Sequence, residues 1–242
     1  IQVFFNLSLL HKLVYRATLC ILLFLSTSGC YLWNQGQGQL SIRWHQKRIP
    51  EVLVTEQNEK YKKLLRHVES VKMFAQTRLN LESSDNYSDY YSTDKQAITF
   101  VVTASPKDRF EAYTWWFPFL GSVPYLGFFD ESDALELEQD LQDEGYDTWL
   151  FHAPAYSTLG WFSDPVTTPM LRKGLYSFVN TIIHELVHET IYLEGQTDFN
   201  EQLASFIAEK GALEYLDQEG FLNAELLKKI DHRKETRKTL NA

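Results

Sequence analysis

His184-Glu185-Leu186-Val187-His188 is the motif on which the fold and the chemistry of this chain depend. Two histidines four residues apart lie on one face of a helix, where their ring nitrogens can converge on a single Zn²⁺. Glu185 lies about 100° around the helix from His184, so it can reach a metal-bound water without binding the metal. Zinc lowers the pKa of such a water, and a carboxylate can then take its proton as hydroxide attacks a carbonyl. The motif predicts a metal-dependent hydrolase with Glu185 as general base.

The surrounding sequence predicts one helix from Leu171 to Leu193, closed by Gly195. Polar residues fall at helical spacing along one side of it: Ser177, Asn180, Thr181, His184 and His188. Apolar residues occupy much of the rest: Phe178, Ile182, Leu186, Ile191 and Leu193. A polar seam in an apolar helix indicates a lined cavity, because buried polar groups need partners. The alternative, a solvent-facing polar stripe, does not explain why both histidines fall in the seam.

A third metal ligand is expected on the next element. The pattern predicts a second helix from about Asn200 to Leu216, packed against the first. Glu201 in its first turn can point back at the histidines, and two His plus one Glu is a known catalytic zinc set. The alternative is a capping box of Asp198 and Glu201, in which Glu201 bonds backbone N–H groups. Two other acidic residues could serve as ligand instead: Glu189 and Glu209.

Periodicity places the remaining elements. Glu56–Leu79 is typical of an amphipathic helix, and Ser132–Leu141 is expected to be a helix that ends at Gly145. Three segments are typical of strands, the first two expected to pair around the turn at Pro106–Arg109: Ala97–Ala104, Ala112–Phe117 and Asp147–His152. The run Glu82–Asp94 is expected to be a polar loop. Strands followed by packed helices predict an α+β fold, with a small β-sheet beside a zincin-like helical core that carries the histidine helix and the following Glu-bearing helix.

The N-terminus predicts export. A charged region from His11 to Arg16 precedes the apolar stretch Ala17–Leu25, which is too short to span a bilayer of about 30 Å as a helix. Residues 1–29 are therefore expected to be a signal peptide. The Ser-Gly-Cys sequence that ends at Cys30 resembles a bacterial lipobox, so Cys30 would carry a lipid anchor. The protein is expected in the cell envelope facing the periplasm, with the outer membrane favoured because Tyr31, not Asp, follows the cysteine.

Composition limits the remaining choices. The net charge of −9 argues against a nucleic-acid partner, which requires basic patches. Of the two cysteines, Cys20 lies in the segment to be removed and Cys30 is the lipidation site, so neither a disulfide nor a sulfur ligand is expected. Residues 30–220 are long enough for one metallopeptidase domain, and residues 221–242 are expected to form a charged helical tail. Nothing in the sequence indicates an oligomeric state.

Two loops are expected to frame the substrate: Gly121–Gly127 and Ala155–Gly160. Tyr156 is the first candidate for the group that stabilises the developing oxyanion, with Tyr125 and His152 behind it; these side chains could instead pack against the sheet. An aminopeptidase also needs an anionic group for the substrate ammonium, and three residues could supply it: Asp164, Glu194 and Asp198.

Several segments together resemble a family of bacterial putative aminopeptidases, gluzincin-type zinc metallopeptidases that are often lipoproteins. They are the histidine motif and Trp33–Leu40, Trp116–Asp130, Pro154–Pro165 and Gln196–Glu201. The resemblance implies that His184, His188 and Glu201 bind zinc and that Glu185 is the general base. The resemblance also implies a longer chain with a further helical region at its C-terminus, so this chain, which starts at Ile1 and stops at Ala242, is expected to be a fragment or an aberrant gene product.

The sequence as a whole predicts a lipid-anchored zinc metallopeptidase that acts on peptides or proteins. The alternative from another class is a zinc-stabilised or catalytically idle binding protein of the envelope.

Overall fold

The computed structural model describes residue 31 and residues 34–82, 85–117, 121–153 and 163–240, without the side chains of 233, 234 and 237–240. The helices are α1 (residues 34–45), α2 (Ile49–Thr55), α3 (Glu59–Leu79), α4 (Glu131–Asp143), α5 (Thr168–Arg172), α6 (Leu175–Thr190), α7 (Thr197–Gln218) and α8 (Ala224–Leu240). The strands are β1 (Lys47–Arg48), β2 (Asp89–Tyr91), β3 (Thr99–Pro106), β4 (Trp115–Phe117), β5 (Gly121–Val123), β6 (Leu126–Phe128), β7 (Tyr146–Ala153) and β8 (Val166–Thr167). The predicted α+β class is confirmed.

The chain divides into two compact units. The first contains the described residues up to His45 together with those between Thr99 and His152. The second contains Gln46–Ile98 and the described residues from Ala153 onward. The stretch 30–220, predicted as one metallopeptidase domain, runs through both.

The first unit holds a three-stranded sheet in the order β6-β3-β7, and a separate hairpin of β4 and β5. In the sheet, Phe100 of β3 lies opposite Phe128 of β6. The predicted pairing of Ala97–Ala104 with Ala112–Phe117 is wrong, because both edges of β3 are taken by β6 and β7, and β4 pairs with the strand that follows it. The loop conformation predicted for Gly121–Gly127 is also wrong, since this segment supplies β5 and most of β6; its contact with the substrate stays a prediction. Strand and helix were predicted correctly at β7 and α4, each within two residues of its bounds.

Helix α3 is the first long element of the second unit. Its N-terminus is capped by Asn58, whose side chain accepts hydrogen bonds from the backbone N–H groups of Lys60 and Tyr61. It ends at Leu79, where Asn80 adopts the left-handed conformation. The end agrees with the prediction, whereas the start lies three residues later, because Glu56 closes the short helix α2.

The second unit also holds a small sheet of order β1-β2-β8 that the sequence did not predict. Strand β2 lies inside Glu82–Asp94, which was expected to be a polar loop, and runs parallel to β8 with Tyr90 opposite Val166. The expectation was wrong because two tyrosines in this polar run, Tyr87 and Tyr90, join the hydrophobic core.

The helix predicted over Leu171–Leu193 is two helices. Gly174, with φ of +86°, separates α5 from α6, since this backbone conformation is accessible mainly to glycine and breaks the helical hydrogen-bond pattern. At the other end, α6 stops at Thr190, and Ile191 is extended. Ile191 and Leu193, predicted on the apolar side, are therefore exposed beyond the helix.

Helices α3, α6 and α7 pack together around the main core of the second unit. From α6 the core takes six side chains: Phe178, Val179, Ile182, Ile183, Leu186 and Val187. The predicted second helix, Asn200–Leu216, is confirmed as α7, which starts three residues earlier and ends two later. Because the described residues bury the apolar side of α6, a site on this helix would lie on its half-buried polar side. No helix in the described part of the chain is both long enough and apolar enough to cross a membrane.

Tyr215 joins α7 to α3, and we expect Tyr215→Phe to lower the free energy of unfolding by about 1–2 kcal/mol. Its buried hydroxyl lies 2.7 Å from His67 Nδ1 and 2.6 Å from Ser70 Oγ, and the substitution removes both contacts, although Ser70 Oγ keeps its bond to His67 O at 2.9 Å. The measurement is the shift of the urea unfolding transition by circular dichroism. The matched control, Tyr192→Phe, changes an exposed tyrosine and should stay within about 0.5 kcal/mol of the parent protein; equal effects of the two variants would contradict the role of this hydroxyl.

Candidate metal centre

Helix α6 presents the two histidines of the motif from one side. The positions predicted as a polar seam, Ser177, Asn180, Thr181, His184 and His188, are all half-buried, in contrast to the fully buried apolar positions between them. His184 and His188 stand one turn apart with ring centroids 4.7 Å apart, and their Nε2 atoms are 3.1 Å apart. Two imidazole nitrogens thus converge at one point beside the helix, as their four-residue spacing predicts.

Glu201, at the start of the second turn of α7, completes the group. Its Oε2 lies 3.3 Å from His184 Nε2 and its Oε1 lies 3.3 Å from His188 Nε2. The capping-box alternative does not describe this residue, because α7 begins after Gln196 with no side-chain cap and the Glu201 carboxylate faces the imidazoles. The structure therefore brings His184, His188 and Glu201 together on two consecutive helices.

The ligand types and the spacing of this group are compatible with a zinc ion. The two Nε2 atoms are 3.1 Å apart, each lies 3.3 Å from a different oxygen of Glu201, and one ligand atom from each residue lies within 4.8 Å of the other two. Imidazole nitrogen and carboxylate oxygen are ligand types that zinc accepts. Among the described residues, these three form the one group of histidine, cysteine and acidic side chains close enough to hold a metal. Neither Glu189 nor Glu209, the other candidate ligands, belongs to it.

The protonation of these three side chains suits the binding of a cation. The hydrogen bonds from His184 and His188 hold the pKa of the Glu201 carboxyl well below its ordinary value. The hydrogen bond to Glu201 raises the pKa of His188. Glu201 is thus kept as a carboxylate, which is the form that binds metal. A metal ion would replace the protons in the hydrogen bonds between this carboxylate and the two imidazoles.

Glu185 follows His184 directly and lies at the edge of this group. Burial raises the pKa of the Glu185 carboxyl above its ordinary value, and the neighbouring His184 and His188 partly oppose that change. A carboxylate with a raised pKa accepts a proton more readily than an exposed one. The position suits a proton acceptor beside the convergence point of the three ligands.

A buried polar cluster behind Glu185 was missed by the sequence analysis. The Asn86 side chain donates to Glu189 Oε1 and accepts a 2.5 Å hydrogen bond from the backbone N–H of Asp164. Tyr87 N donates to Asp164 O at 2.7 Å, and burial raises the pKa of Tyr87 well above its ordinary value, with Glu185 as the first of the nearby negative charges. The available signal was the high tyrosine content of Glu82–Asp94, which is unusual for a solvated loop. This cluster supports the helix that carries the motif.

The remaining predicted site residues have varied positions. Tyr125 is half-exposed in the turn between β5 and β6, and His152 on β7 lies 3.4 Å from Glu131; both belong to the first unit. Tyr156, the loop Ala155–Gly160 and Cys30 lie outside the described residues. Of the candidate ammonium-binding residues, Asp164 is buried, whereas Glu194 and Asp198 are exposed.

Comparison with known proteins gives one match. The sequence matches the family described as "Putative aminopeptidase" over residues 30–242, well over half of the chain. No curated protein and no solved structure matches the sequence significantly.

Proposed function

Because the chain belongs to the family described as putative aminopeptidase, we propose that it is a zinc-dependent peptidase. The observation that carries the proposal is the convergence of two imidazole nitrogens of α6, 3.1 Å apart, on the carboxylate of Glu201 of α7 at 3.3 Å each, beside Glu185 on α6. His184, His188 and Glu201 would hold the metal. This donor set is that of a gluzincin-type site, in agreement with the resemblance noted in the sequence.

Bound zinc would supply an acidified water and a Lewis acid for the substrate carbonyl. The residues of the chain supply the rest. Glu185, half-buried and with a raised pKa, accepts a proton from the attacking water and passes it to the departing amine nitrogen. His184 and His188 are fixed by the packing of α6 against α3 and α7, so the ligands meet without a large rearrangement.

A peptide-library digest tests the proposal. A peptidase of this kind cleaves peptides in the presence of zinc and stops when a chelator removes the metal. Matched peptides with free and acetylated N-termini then separate the two modes of cleavage: an aminopeptidase requires the free ammonium, whereas an endopeptidase does not. Bound zinc without chelator-sensitive cleavage would contradict the proposal and favour an idle or zinc-stabilised binding protein.

Tyr156 is the proposed donor to the oxyanion, and we expect Tyr156→Phe to lower kcat/KM by roughly 10²–10³-fold with zinc content unchanged. The phenol would donate to the oxygen on which charge develops in the transition state, so its loss acts on turnover more than on metal binding. Steady-state kinetics on the best library peptide measures the effect. Tyr125→Phe tests the competing candidate, and a larger loss there than in Tyr156→Phe would transfer the role to Tyr125. Activity of Tyr156→Phe within about twofold of the parent protein would exclude Tyr156.

We also propose that Cys30 carries a lipid that anchors the protein in the envelope, facing the periplasm. Labelled palmitate is expected to enter the intact protein in bacterial cells, and Cys30→Ser should abolish the labelling, because the thiol that receives the lipid is gone. Cys20→Ser is the matched control, since Cys20 lies within the segment expected to be removed. Labelling that persists in Cys30→Ser, or is absent from the parent protein, would contradict the anchor.

A further inference from the structure

The connector between α6 and α7, residues 191–196, is held in place by one buried side chain. Every residue from Ile191 to Phe199 is exposed, and the next one, Asn200, has only 2 % of its surface accessible. An exposed segment gains little from apolar burial, so its conformation depends on its hydrogen bonds. The side chain of Asn200 is therefore the main candidate for what fixes this connector.

Asn200 binds the connector through both ends of its amide. Leu193 N donates to Asn200 Oδ1 at 3.0 Å, and Asn200 Nδ2 donates to Leu193 O at 2.8 Å. The backbone N–H of Asn200 also donates to Gln196 O at 2.9 Å, which places the residue in the first turn of α7. The two bonds use two different atoms of one short planar amide; aspartate has no donor, glutamine is one carbon longer, and a serine or threonine hydroxyl has a single oxygen for both bonds.

These bonds set where α7 begins relative to the end of α6. Leu193 lies three residues after Thr190, the last residue of α6, and Glu201 directly follows Asn200. In metal sites the ligand distances lie within about 0.2 Å of their usual values, so the ligands must be held in place. A connector free to move at Leu193 would let the first turn of α7 shift, and Glu201 would no longer meet both imidazoles at 3.3 Å.

We propose that Asn200 is a positioning residue, which holds Glu201 against His184 and His188 by tying the first turn of α7 to Leu193. The inference rests on the proposed function, since it takes these three residues as metal ligands. It assigns to Asn200 an effect on metal affinity in the folded protein, which is distinct from a general contribution to stability.

The experiment measures zinc affinity of the full chain by competition with a chelating indicator, with the folded fraction checked by circular dichroism. Asn200→Ala should bind zinc about 10–100-fold more weakly than the parent protein, the range typical of residues that support metal ligands. Cobalt-substituted protein supplies a second readout, because its absorption bands report the ligand geometry and should shift in this variant.

Asn58→Ala is the matched control. Asn58 is also an asparagine whose side chain bonds two backbone groups, at the start of α3, at 3.0 Å to Lys60 N and 3.3 Å to Tyr61 N. Its loss removes a helix cap and lowers stability, but should leave zinc affinity within about twofold. Should Asn200→Ala not fold, Asn200→Asp keeps the size and the acceptor of the side chain but sets a carboxylate oxygen against Leu193 O in place of the donor; it should still weaken zinc binding about tenfold.

These measurements distinguish the positioning role of Asn200 from the proposed zinc-dependent function. Zinc affinity of the Asn200 variants within twofold of the parent protein would overturn the positioning role and leave the proposed function intact. An equal loss in Asn58→Ala would also overturn it, because the effect would then be one of general stability. A parent protein that does not bind zinc would overturn both.

Discussion

Glu185→Gln is expected to keep about one zinc ion per chain and to lose peptide hydrolysis by about 10²–10⁴-fold, the range that a general base contributes. The amide has the same shape as the carboxylate but cannot accept a proton from the attacking water. Glu185 does not belong to the group of converging ligand atoms, so its replacement leaves the metal site intact. Atomic absorption on the purified variant and steady-state hydrolysis of a library peptide measure the two quantities.

Glu209→Gln is the control for this variant. It makes the same chemical change on α7, eight residues beyond Glu201 and outside the converging group, and should retain both zinc and activity. Full turnover in Glu185→Gln with zinc still bound would rule out the general-base role. Loss of zinc from that variant would instead place Glu185 among the ligands, contrary to its position in the structure.

Glu201→Gln is expected to lose zinc, from about one ion per chain to nearly none after gel filtration, and to lose activity with it. The carboxylate is the only negatively charged member of the group, and both of its oxygens face an imidazole nitrogen at 3.3 Å. Replacement by a neutral amide removes the negative charge that balances the charge of the cation. It also replaces one carboxylate oxygen with an amide NH₂ group, which does not bind metal.

The same Glu209→Gln protein is the control for zinc content, since Glu209 was the competing ligand candidate on α7. Stoichiometric zinc in Glu201→Gln, together with its loss from Glu209→Gln or Glu189→Gln, would transfer the third ligand to that residue. Zinc retained in all three variants would mean that the metal is bound elsewhere.

Local periodicity was sufficient to predict the elements of the candidate site. The spacing of His184 and His188 fixes their common face on α6, and the short link to α7 limits where Glu201 can lie. Both are consequences of helix geometry over a few residues. The seam of half-buried polar residues along α6 follows from the same periodicity.

What the sequence did not predict depends on contacts between distant segments. The pairing of β3 with β6 and β7 depends on which strands compete for its edges. Strand β2 forms because Tyr87 and Tyr90 pack into a hydrophobic core whose other residues are distant in sequence. The break at Gly174 has a local cause, a positive φ, but helical periodicity continues across it and hides the break. Asn200 was read only as the approximate start of a helix, because nothing in its sequence neighbourhood shows that it bonds Leu193.

The central claim is that the three converging side chains hold a zinc ion on which peptide hydrolysis depends. The most direct test strips the metal from the purified full chain with a chelator and then titrates zinc back while hydrolysis of one library peptide is followed. We predict that cleavage is absent after stripping, rises with added zinc and reaches its limit at about one equivalent per chain. Cleavage that survives stripping, or a zinc-saturated protein that cleaves nothing, would contradict it.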